Sequence, residues 1–361
     1  MKTTLIIDGN WLLMSRSFIL GKQFLKSNPK DMKEEGTRQL EEFMAQSISV
    51  VCNRFRDTIN NIIFVSDGGS WRKQLKRPAD MVAVKYKGNR GGEYELDWDY
   101  IFQALNNLSE HTAELGITSS HHYNVEGDDW AWYWSRRLNS QGINAIIWSS
   151  DNDLKQLIQV DNGAFTAWYN DKNGIWLPEI LNDKVDDELD FFLRPPSSNP
   201  VLERIKIQSG NVNYLNPDLI VMNKIVCGDS GDNIKSIIRI QKNNRTYGVG
   251  DKDWEKTMKS LEISSLTDFF EKSDKVITSL LDLSKFKGYS LNKQNVADVF
   301  DYNKKLVWLN EAIIPDSIVE AMNNEEYREF DLNEIRNNYK ILCGMRTAET
   351  EAIEEIFAGI K

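Results

Sequence analysis

The chain is poor in cysteine and histidine, with three of each in 361 residues. Cys52, Cys227 and Cys343 lie far apart and show no zinc-ligand spacing, so we expect reduced thiols, as in cytosolic proteins. The adjacent His121 and His122 have no spaced partner, which favours structural or surface roles over catalysis. The sequence therefore gives no support to a disulfide framework or a zinc site.

Long apolar runs are also absent. No stretch approaches the length of a membrane span, and the first residues, MKTTLIIDGN, lack the apolar core of a secretory signal. No repeat of fixed period and no low-complexity tract is present. With 41% hydrophobic residues, the chain is expected to fold around a substantial core, in the cytoplasm and without a membrane partner.

A positive net charge is missing as well, since the formal charge is −10, which at first argues against binding to nucleic acid. Two segments differ from this average. The segment 72–90 contains one acid and seven basic residues, and the segment 235–259 contains three acids and seven basic residues. A polyanion can still bind if the acids lie elsewhere or are covered by metal ions. Solvated surface charge remains the other explanation.

Strand and helix patterns alternate through the first half of the chain. Short apolar segments at Thr3–Ile7, NIIFVSD, HHYNV and INAIIWSS are separated by helical patterns, which predicts an α/β fold with a mostly parallel sheet between helices. AFTAWYN and GIWLP are typical of an edge hairpin. From about Asn199 the strands are expected to stop, and RPPSSNP is the predicted boundary between an α/β domain at 1–198 and a helical domain at 199–361.

Acidic residues follow four successive predicted strands: Asp8, Asp67, the group Glu126, Asp128 and Asp129, and the pair Asp151 and Asp153. Parallel strands carry such residues to one edge of the sheet, where ligands bind. A single aspartate there usually caps the next helix, but four such positions in succession are harder to explain by capping. Their mutual repulsion calls for cations, and an all-oxygen ligand set favours magnesium or manganese. EF-hand spacing fails, because the fifth position from Asp151 is Lys155.

The order of the motifs IIDGNWLL, FVSDGG, YKGNR, VEGDDWAW, SSDNDLKQLI and CGDSGDNI resembles that of the 5′-nuclease family. This family comprises flap endonucleases and 5′–3′ exonucleases within the PIN-like superfamily. Among its members, the chain is most similar to the phage ribonuclease H type, which removes RNA primers during replication. The resemblance covers roughly the first 260 residues and extends more weakly into the helical tail.

The resemblance implies a two-metal centre holding Mg²⁺ or Mn²⁺. Five acids match positions around the first ion, namely Asp8, Asp67, Glu126, Asp128 and Asp151. Three match positions around the second ion, namely Asp153, Asp229 and Asp232, and Asp129 matches a position in or just behind the ligand sphere. Asp8, Asp67, Asp128 and Asp151 are therefore expected to be catalytic, together with Lys87 and Arg90 at the base of a basic arch spanning about 70–95. The two basic groups would stabilise charge on the scissile phosphate.

The resemblance also implies a helix–three-turn–helix element at about 217–262 that grips duplex DNA through backbone amides, basic residues and a monovalent cation near 229–250. Two departures bear on that cation: Lys235–Ser236 replaces the usual Pro-Gly, and 16 positions (248 minus 232) separate Asp232 from Gly248, about twice the common spacing. The expected nucleic-acid contacts are Arg16, Arg72, Lys73, Lys76, Arg77, Lys85, Tyr86, Lys87, Arg90, Lys242, Arg245, Gly248, Gly250 and Lys252.

The implied activity is a metal-dependent 5′ nuclease that hydrolyses phosphodiester bonds near the 5′ ends of duplex or flap DNA and RNA–DNA hybrids in replication or repair. The enzyme is expected to be a monomer, with a single-strand DNA-binding protein or another replisome component as a candidate partner. Two alternatives remain open at this point. One is a structure-selective DNA-binding protein with weak catalysis, and the other is a PIN-type ribonuclease acting on single strands.

Overall fold

The computed structural model describes residues 2–88, 95–182 and 200–344. Its strands are β1 (Thr3–Asp8), β2 (Asn61–Val65), β3 (Thr118–Ser120), β4 (Asn144–Trp148), β5 (Gln159–Asp161), β6 (Ala164–Asn170), β7 (Gly174–Pro178), β8 (Val212–Leu215), β9 (Arg239–Lys242) and β10 (Arg245–Gly248). Its α-helices are α1 (Gly9–Ser17), α2 (Lys30–Arg54), α3 (Trp98–Glu114), α4 (Gly127–Ser140), α5 (Pro200–Ser209), α6 (Asp218–Cys227), α7 (Asp251–Ser260), α8 (Leu266–Glu271), α9 (Ser273–Leu281), α10 (Lys293–Val307), α11 (Asp316–Asn323) and α12 (Leu332–Asn337).

Eight of the strands in these residues form one sheet in the order β3-β2-β1-β4-β6-β7-β8, with β5 paired to β6. The pairs from β3 through β6 are parallel, as is β7 with β8, whereas β6 pairs antiparallel with both β7 and β5. β1 extends the sheet in both directions, since it pairs with β2 on one side and β4 on the other. The strand order therefore switches at β1, and the predicted α/β class with a mostly parallel sheet is confirmed.

The sheet is covered on both faces, and its central strands β1, β2 and β4 are buried at every position. Leu5 and Ile7 of β1 point into a core shared with α2 and α3, whereas Ile6 points to the opposite face, where α4 packs. Trp130, Trp132 and Trp134 of α4 are at most 7% exposed. These side chains therefore belong to the core and are not exposed for stacking on bases.

A second core is formed by α6 to α10, with Trp254 and Phe269 among its buried residues. This confirms that a helical region follows the sheet. None of the helices in the described ranges combines the length and apolar character needed to cross a bilayer.

Three expectations about strands are wrong. HHYNV is not a strand, because the strand in this part of the chain is β3, which ends at Ser120 just before it. The strands do not stop at Asn199, because β8 adds to the large sheet beside β7 and β9 pairs with β10 in a separate hairpin. The β6–β7 hairpin is present but is not at the edge, since β8 lies outside it. β8 has only four half-buried residues with the polar Asn213 among them, so neither length nor periodicity marks it as a strand.

The C-terminal part of the chain returns to the sheet. Leu332, Ile335 and Leu342 are buried in the core that α2 and α3 share with the sheet, and Ile318 and Met322 of α11 are buried on the opposite face. The region 199–361 is therefore not packed as one separate helical body. The division at residue 198 remains a prediction.

Candidate active site

An acidic cleft lies at the carboxyl ends of the parallel strands, next to the switch in strand order. Its volume is about 830 Å³. β1 ends in Asp8, β2 is followed by Asp67, α4 begins just before Asp128, and β4 is followed by Asp151. The carboxylates that line the cleft are Asp8, Asp67, Asp128, Asp151, Asp153, Asp229 and Asp232. The structure thus brings seven of the nine predicted metal ligands into one space.

Hydrogen bonds fix the central carboxylates. Asp8 caps α1 by accepting from the backbone N–H of Trp11 at 2.9 Å, and its other oxygen accepts from the hydroxyl of Ser149 at 2.7 Å. The same hydroxyl accepts from the backbone N–H of Asp151 at 2.9 Å, so Ser149 joins the ends of β1 and β4. Sequence reasoning missed Ser149, although its position two residues before Asp151 is a recognisable Ser-x-Asp pattern.

Asp67 is held in a similar way. Its carboxylate accepts from the backbone N–H of Gly127 at 2.6 Å, and its own backbone N–H donates to the side-chain oxygen of Asn10 at 2.8 Å. Asn10 follows Asp8 by two residues in the first motif and was also missed. Both contacts tie the end of β2 to the elements that carry the other cleft acids.

The cleft disfavours negative charge. Burial raises the pKa of Asp8 to about 7, and the adjacent Asp151 and Asp67 add to the shift. Burial and the charge of Asp151 raise the pKa of Asp128 well above its ordinary value, and the same two causes raise that of Asp153 to about 6. Closely spaced, desolvated carboxylates of this kind bind cations, because a cation removes the repulsion between them.

Two lysines reach the cleft. The ammonium of Lys224, in the last turn of α6, donates to Asp153 and, at 2.5 Å, to Asp229. The ammonium of Lys87 lies 2.6 Å from Glu126 and 4.0 Å from Asp232. Lys87 was predicted, whereas Lys224 was missed, although its place five residues before Asp229 at the end of an apolar helix was a usable signal.

Three corrections concern a buried ion cluster behind the cleft. Arg72 is 2% exposed and donates to Glu126 at 2.7 Å and to Asp129 at 2.7 and 3.0 Å. Trp71 donates its indole N–H to Asp129 at 3.0 Å. The prediction that Arg72 contacts nucleic acid is wrong, because its guanidinium is buried and is bonded to two carboxylates within the fold.

Of the two positions predicted for Asp129, in or just behind the ligand sphere, the structure contradicts the first, since Asp129 is fully buried and its oxygens are taken by Arg72 and Trp71. Glu126 does not line the cleft either. Burial raises its pKa, but the charges of Arg72 and Lys87 outweigh that effect and hold it at about 2. Glu126 therefore serves in this structure as the anion that connects Arg72 to Lys87.

The arch is described as far as Gly88, and Arg90 lies outside the described residues. Lys73, Lys76 and Lys85 are exposed, as expected for phosphate contacts, while Arg77 is half-buried and donates to the carbonyl of Val82 at 3.0 Å. Tyr86 is buried in the core of the helical region, so its predicted contact with nucleic acid is wrong.

Arg16 does not line the cleft, contrary to its predicted role as a phosphate ligand. Its guanidinium donates to Ser47 at 2.9 Å and lies 5.4 Å from the ring centre of Phe43, both on α2. Nearby, Phe18 is 57% exposed, because it follows the last residue of α1.

The predicted duplex-gripping segment begins with α6, continues through a loop and the β9–β10 hairpin, and ends with α7. The hairpin turns through Asn243 and Asn244, both with positive φ, which suits a tight two-residue turn. Lys242, Arg245, Gly250 and Lys252 are exposed and Gly248 is half-buried. Residues 239–248 therefore form a defined hairpin with basic side chains.

The chemistry of the donor set suits divalent cations, because every acidic group in the cleft offers hard oxygen ligands. As the side chains stand, no group of three or more His, Cys, Asp or Glu among the described residues is placed to hold a metal ion. Lys224 occupies the space between two of the carboxylates. The cleft thus has the charge and ligand type for such ions, with part of its charge neutralised by lysine.

Comparison with known proteins agrees with this geometry. Residues 3–186 match the family model described as the 5′–3′ exonuclease, N-terminal resolvase-like domain. The chain belongs to the 5′–3′ exonuclease family. A 5′–3′ exonuclease of Mycoplasmopsis pulmonis is 27% identical to this family member over 264 residues, which cover 73% of this chain and 71% of that protein.

Solved structures share the fold of this exonuclease-family chain. A bacteriophage T5 protein co-crystallised with metal ions matches with a TM-score of 0.54 and 16% identity, over 93% of this chain and 100% of the other. A bacteriophage T5 flap endonuclease in a pseudo-enzyme–product complex with DNA and metal ions matches with a TM-score of 0.52 and 15% identity, over 95% and 100%. At these identities the likeness concerns the fold alone.

Proposed function

We propose that this member of the 5′–3′ exonuclease family is a metal-dependent 5′ nuclease that hydrolyses phosphodiester bonds near the 5′ ends of duplex or flap DNA. The observation that carries the proposal is the convergence of seven carboxylates in one cleft beside the arch lysine, Lys87. A fold-preserving but inactive DNA-binding protein would have no need to keep so many desolvated acids together at a cost in stability.

Two divalent cations, Mg²⁺ or Mn²⁺, would be held by Asp8, Asp67, Asp128 and Asp151 on one side and by Asp153, Asp229 and Asp232 on the other. Such ions activate a water for attack on phosphorus and offset charge on the leaving oxygen. The chain's own contribution is to fix these ligands. Ser149, Asn10 and the backbone N–H groups of Trp11 and Gly127 hold Asp8 and Asp67 in place.

Lys87 and Lys224 would hold the phosphodiester. An ammonium has three donors, and the contact of Lys87 with Glu126 uses one of them, which leaves others to face the cleft. Lys87 would stabilise charge that develops on the scissile phosphate. Arg90, which is not among the described residues, is proposed to have the same role. Lys224 would exchange its contacts with Asp153 and Asp229 for a phosphate oxygen when the second cation binds.

The duplex would lie along the loop after α6, the β9–β10 hairpin and the start of α7, in the manner of a helix–three-turn–helix element. Lys242, Arg245 and Lys252 would contact phosphates, and the glycines Gly248 and Gly250 allow close approach of the backbone. Lys73, Lys76 and Lys85 would hold the strand that enters the arch, with Arg77 beside them. We infer a single-strand DNA-binding protein or another replisome component as a partner of a monomeric, cytoplasmic enzyme.

RNA–DNA hybrids are proposed as a second substrate, in primer removal during replication. The proposed contacts in the cleft are to phosphates through metal ions and not to bases. The cleft therefore does not discriminate against a ribonucleotide strand through base contacts. A monovalent cation near 229–250 is not favoured, because the β9–β10 hairpin lies between the turn at 229–234 and Gly250 in the chain.

A divalent-ion titration on a labelled 5′-flap substrate tests the function. We expect cleavage that depends on Mg²⁺ or Mn²⁺ and releases short products, together with its loss in Asp151→Ala while flap binding persists. A single-stranded RNA of matched length distinguishes the ribonuclease alternative. Cleavage of that RNA alone, binding without cleavage at any ion concentration, or a wild-type rate in Asp151→Ala would each overturn the proposal.

A further inference from the structure

The base of the arch is held by the helical region, although Lys87 faces acids of the sheet. Met81 and Tyr86 are buried in the core formed by α6 to α10. The backbone N–H of Lys87 donates to the carbonyl of Asp232 at 2.8 Å. Lys87 also has a φ of 52°, a left-handed conformation that a lysine adopts only when its surroundings impose it.

Asn233 is the neighbouring residue on the same turn, with a φ of 59°. Its side-chain NH₂ donates to the carbonyl of Lys85 at 2.8 Å, and its side-chain oxygen accepts from the ammonium of Lys235 at 2.5 Å. An ammonium only donates and a carbonyl only accepts, so these two partners fix the orientation of the amide. Asp232 and Asn233 together bond the chain at both Lys85 and Lys87.

These bonds decide where the ammonium of Lys87 lies. The backbone of Lys87 is tied to the turn after α6, while its side chain reaches Glu126 at the start of α4 at 2.6 Å. The turn is also the entry to the segment that is proposed to grip the duplex. A displacement of this turn therefore moves Lys87 relative to the acids of the cleft.

We propose that Asn233, oriented by Lys235, is a positioning residue that fixes the backbone at Lys85–Lys87 and so places the Lys87 ammonium at the acidic cleft. The proposal rests on the proposed function, since Lys87 has a phosphate to meet only in a nuclease.

Asn233→Gly and Asn233→Ala separate the two contributions of the residue. Glycine adopts positive φ freely and removes only the amide, whereas alanine removes the amide and resists the backbone conformation. Lys235→Gln tests the orienting ammonium. Asn162 is a matched control, because it has a φ of 47° and donates its NH₂ to the carbonyl of Ser140 at 2.8 Å, on an exposed loop between β5 and β6.

On a 5′-flap substrate, we expect Asn233→Gly to lower kcat about 3- to 10-fold, with KM and the Kd for the flap within about twofold of wild type. Asn233→Ala is expected to lose about another tenfold, and Lys235→Gln to lose about twofold. Asn162→Gly should leave kcat unchanged. Equal losses at Asn233 and Asn162 would indicate a general loss of stability and overturn the proposal.

Hydrogen exchange across residues 82–88, measured without metal or DNA, gives a readout independent of cleavage. In Asn233→Gly we expect the Lys87 amide to exchange about tenfold faster, while the β1 amides keep their wild-type rates. Unchanged exchange at Lys87 would overturn the proposal. If the wild-type protein cleaves no flap, the proposed function is wrong, and the exchange measurement still decides whether Asn233 holds the lysine.

Discussion

At the scale of single residues, the site contains two kinds of carboxylate. Asp8 and Asp128 face an open cleft with raised pKa values, because burial and neighbouring acids oppose their ionisation. Glu126 and Asp129 are equally desolvated but are neutralised by the guanidinium of Arg72. The first kind is suited to bind added cations, and the second already has its cation within the fold.

The raised pKa of Asp8 predicts a pH-dependent stability in the absence of metal. Its pKa of about 7 when folded exceeds the ordinary 3.8, so the folded state binds the proton more tightly. The stability associated with Asp8 is therefore complete below about pH 4 and is lost as pH rises to about 7. From about pH 5 to about pH 8, the loss should amount to about 1–3 kcal/mol.

Asp8→Asn should remove this part of the pH dependence. The variant should therefore be more stable than wild type at about pH 8, and this difference in stability should be smaller at about pH 5. Urea unfolding in the presence of a chelator measures the difference. Asp57→Asn, at an exposed position, is the control and should leave the pH dependence as it is. An identical pH dependence in Asp8→Asn and wild type would contradict the raised pKa.

Arg72 should matter for stability rather than for binding. Arg72→Ala leaves Asp129 and part of Glu126 as uncompensated buried charges, which is expected to lower the free energy of unfolding by about 3–5 kcal/mol. Lys73→Ala, at the exposed neighbour, should change it by less than about 0.5 kcal/mol. Urea unfolding distinguishes the two. A loss of DNA affinity in Arg72→Ala at wild-type stability would restore its role as a DNA contact.

At the scale of elements, the segment from α6 to α7 combines the cleft with the proposed duplex grip. α6 ends at Cys227 and the following Gly228 has a φ of 86°, which turns the chain back so that Asp229 and Ile234 bond each other across the loop. The hydroxyl of Ser236 donates to the carbonyl of Val226 and accepts from the N–H of Val249. The side chains of Lys235 and Ser236 therefore both form hydrogen bonds within this loop region.

The β9–β10 hairpin is expected to contribute electrostatic contacts. Substituting Lys242 and Arg245 together by alanine should weaken binding to all duplex sequences alike and reduce the slope of log K against log salt by about 2. Fluorescence anisotropy over a range of salt concentrations measures both effects. Lys172→Ala, in the exposed turn between β6 and β7, is the matched control. An unchanged salt slope in the double variant would place the duplex elsewhere.

At the scale of the whole molecule, the segment that follows the helical region, from residue 325 onwards, packs against the sheet and α2. Residues 325–330 cross the ends of strands opposite the cleft, where the carbonyl of Arg328 accepts from Asn61 of β2 and its N–H donates to Thr118. Asn53 of α2 donates to the carbonyl of Arg336 at 3.0 Å. Because the segment contacts β2 and the β3 edge, the sheet depends on residues that follow the helical region in the chain.

Ile335→Ala should therefore destabilise the sheet, although the residue lies far along the chain from it. Ile335 is fully buried against the core of α2 and α3, so its truncation is expected to cost about 2–5 kcal/mol of unfolding free energy. Tryptophan fluorescence in urea measures the change. Ile207→Ala, at an 80% exposed position of α5, should cost less than about 0.5 kcal/mol. Equal losses of unfolding free energy in Ile335→Ala and Ile207→Ala would show that the segment around Ile335 packs only loosely against the core.

The sequence by itself determined the alternation of strands and helices and the acids that follow the strands. Both are local, because periodicity sets where a strand ends, and parallel strands then carry Asp8, Asp67 and Asp151 to one edge. The motifs of the sequence also predicted Lys87 at the base of the arch.

Only the tertiary structure decided which charges are neutralised inside the fold. The burial of Arg72 and the ion pair between Lys224 and Asp153 depend on packing between segments that are far apart in the chain. A local sequence pattern does not show which distant segments pack together. The same holds for β8, which becomes a strand by pairing with β7, and for Ile335, which returns to the first core. Burial and pairing are properties of the assembled fold, so composition and spacing leave them open.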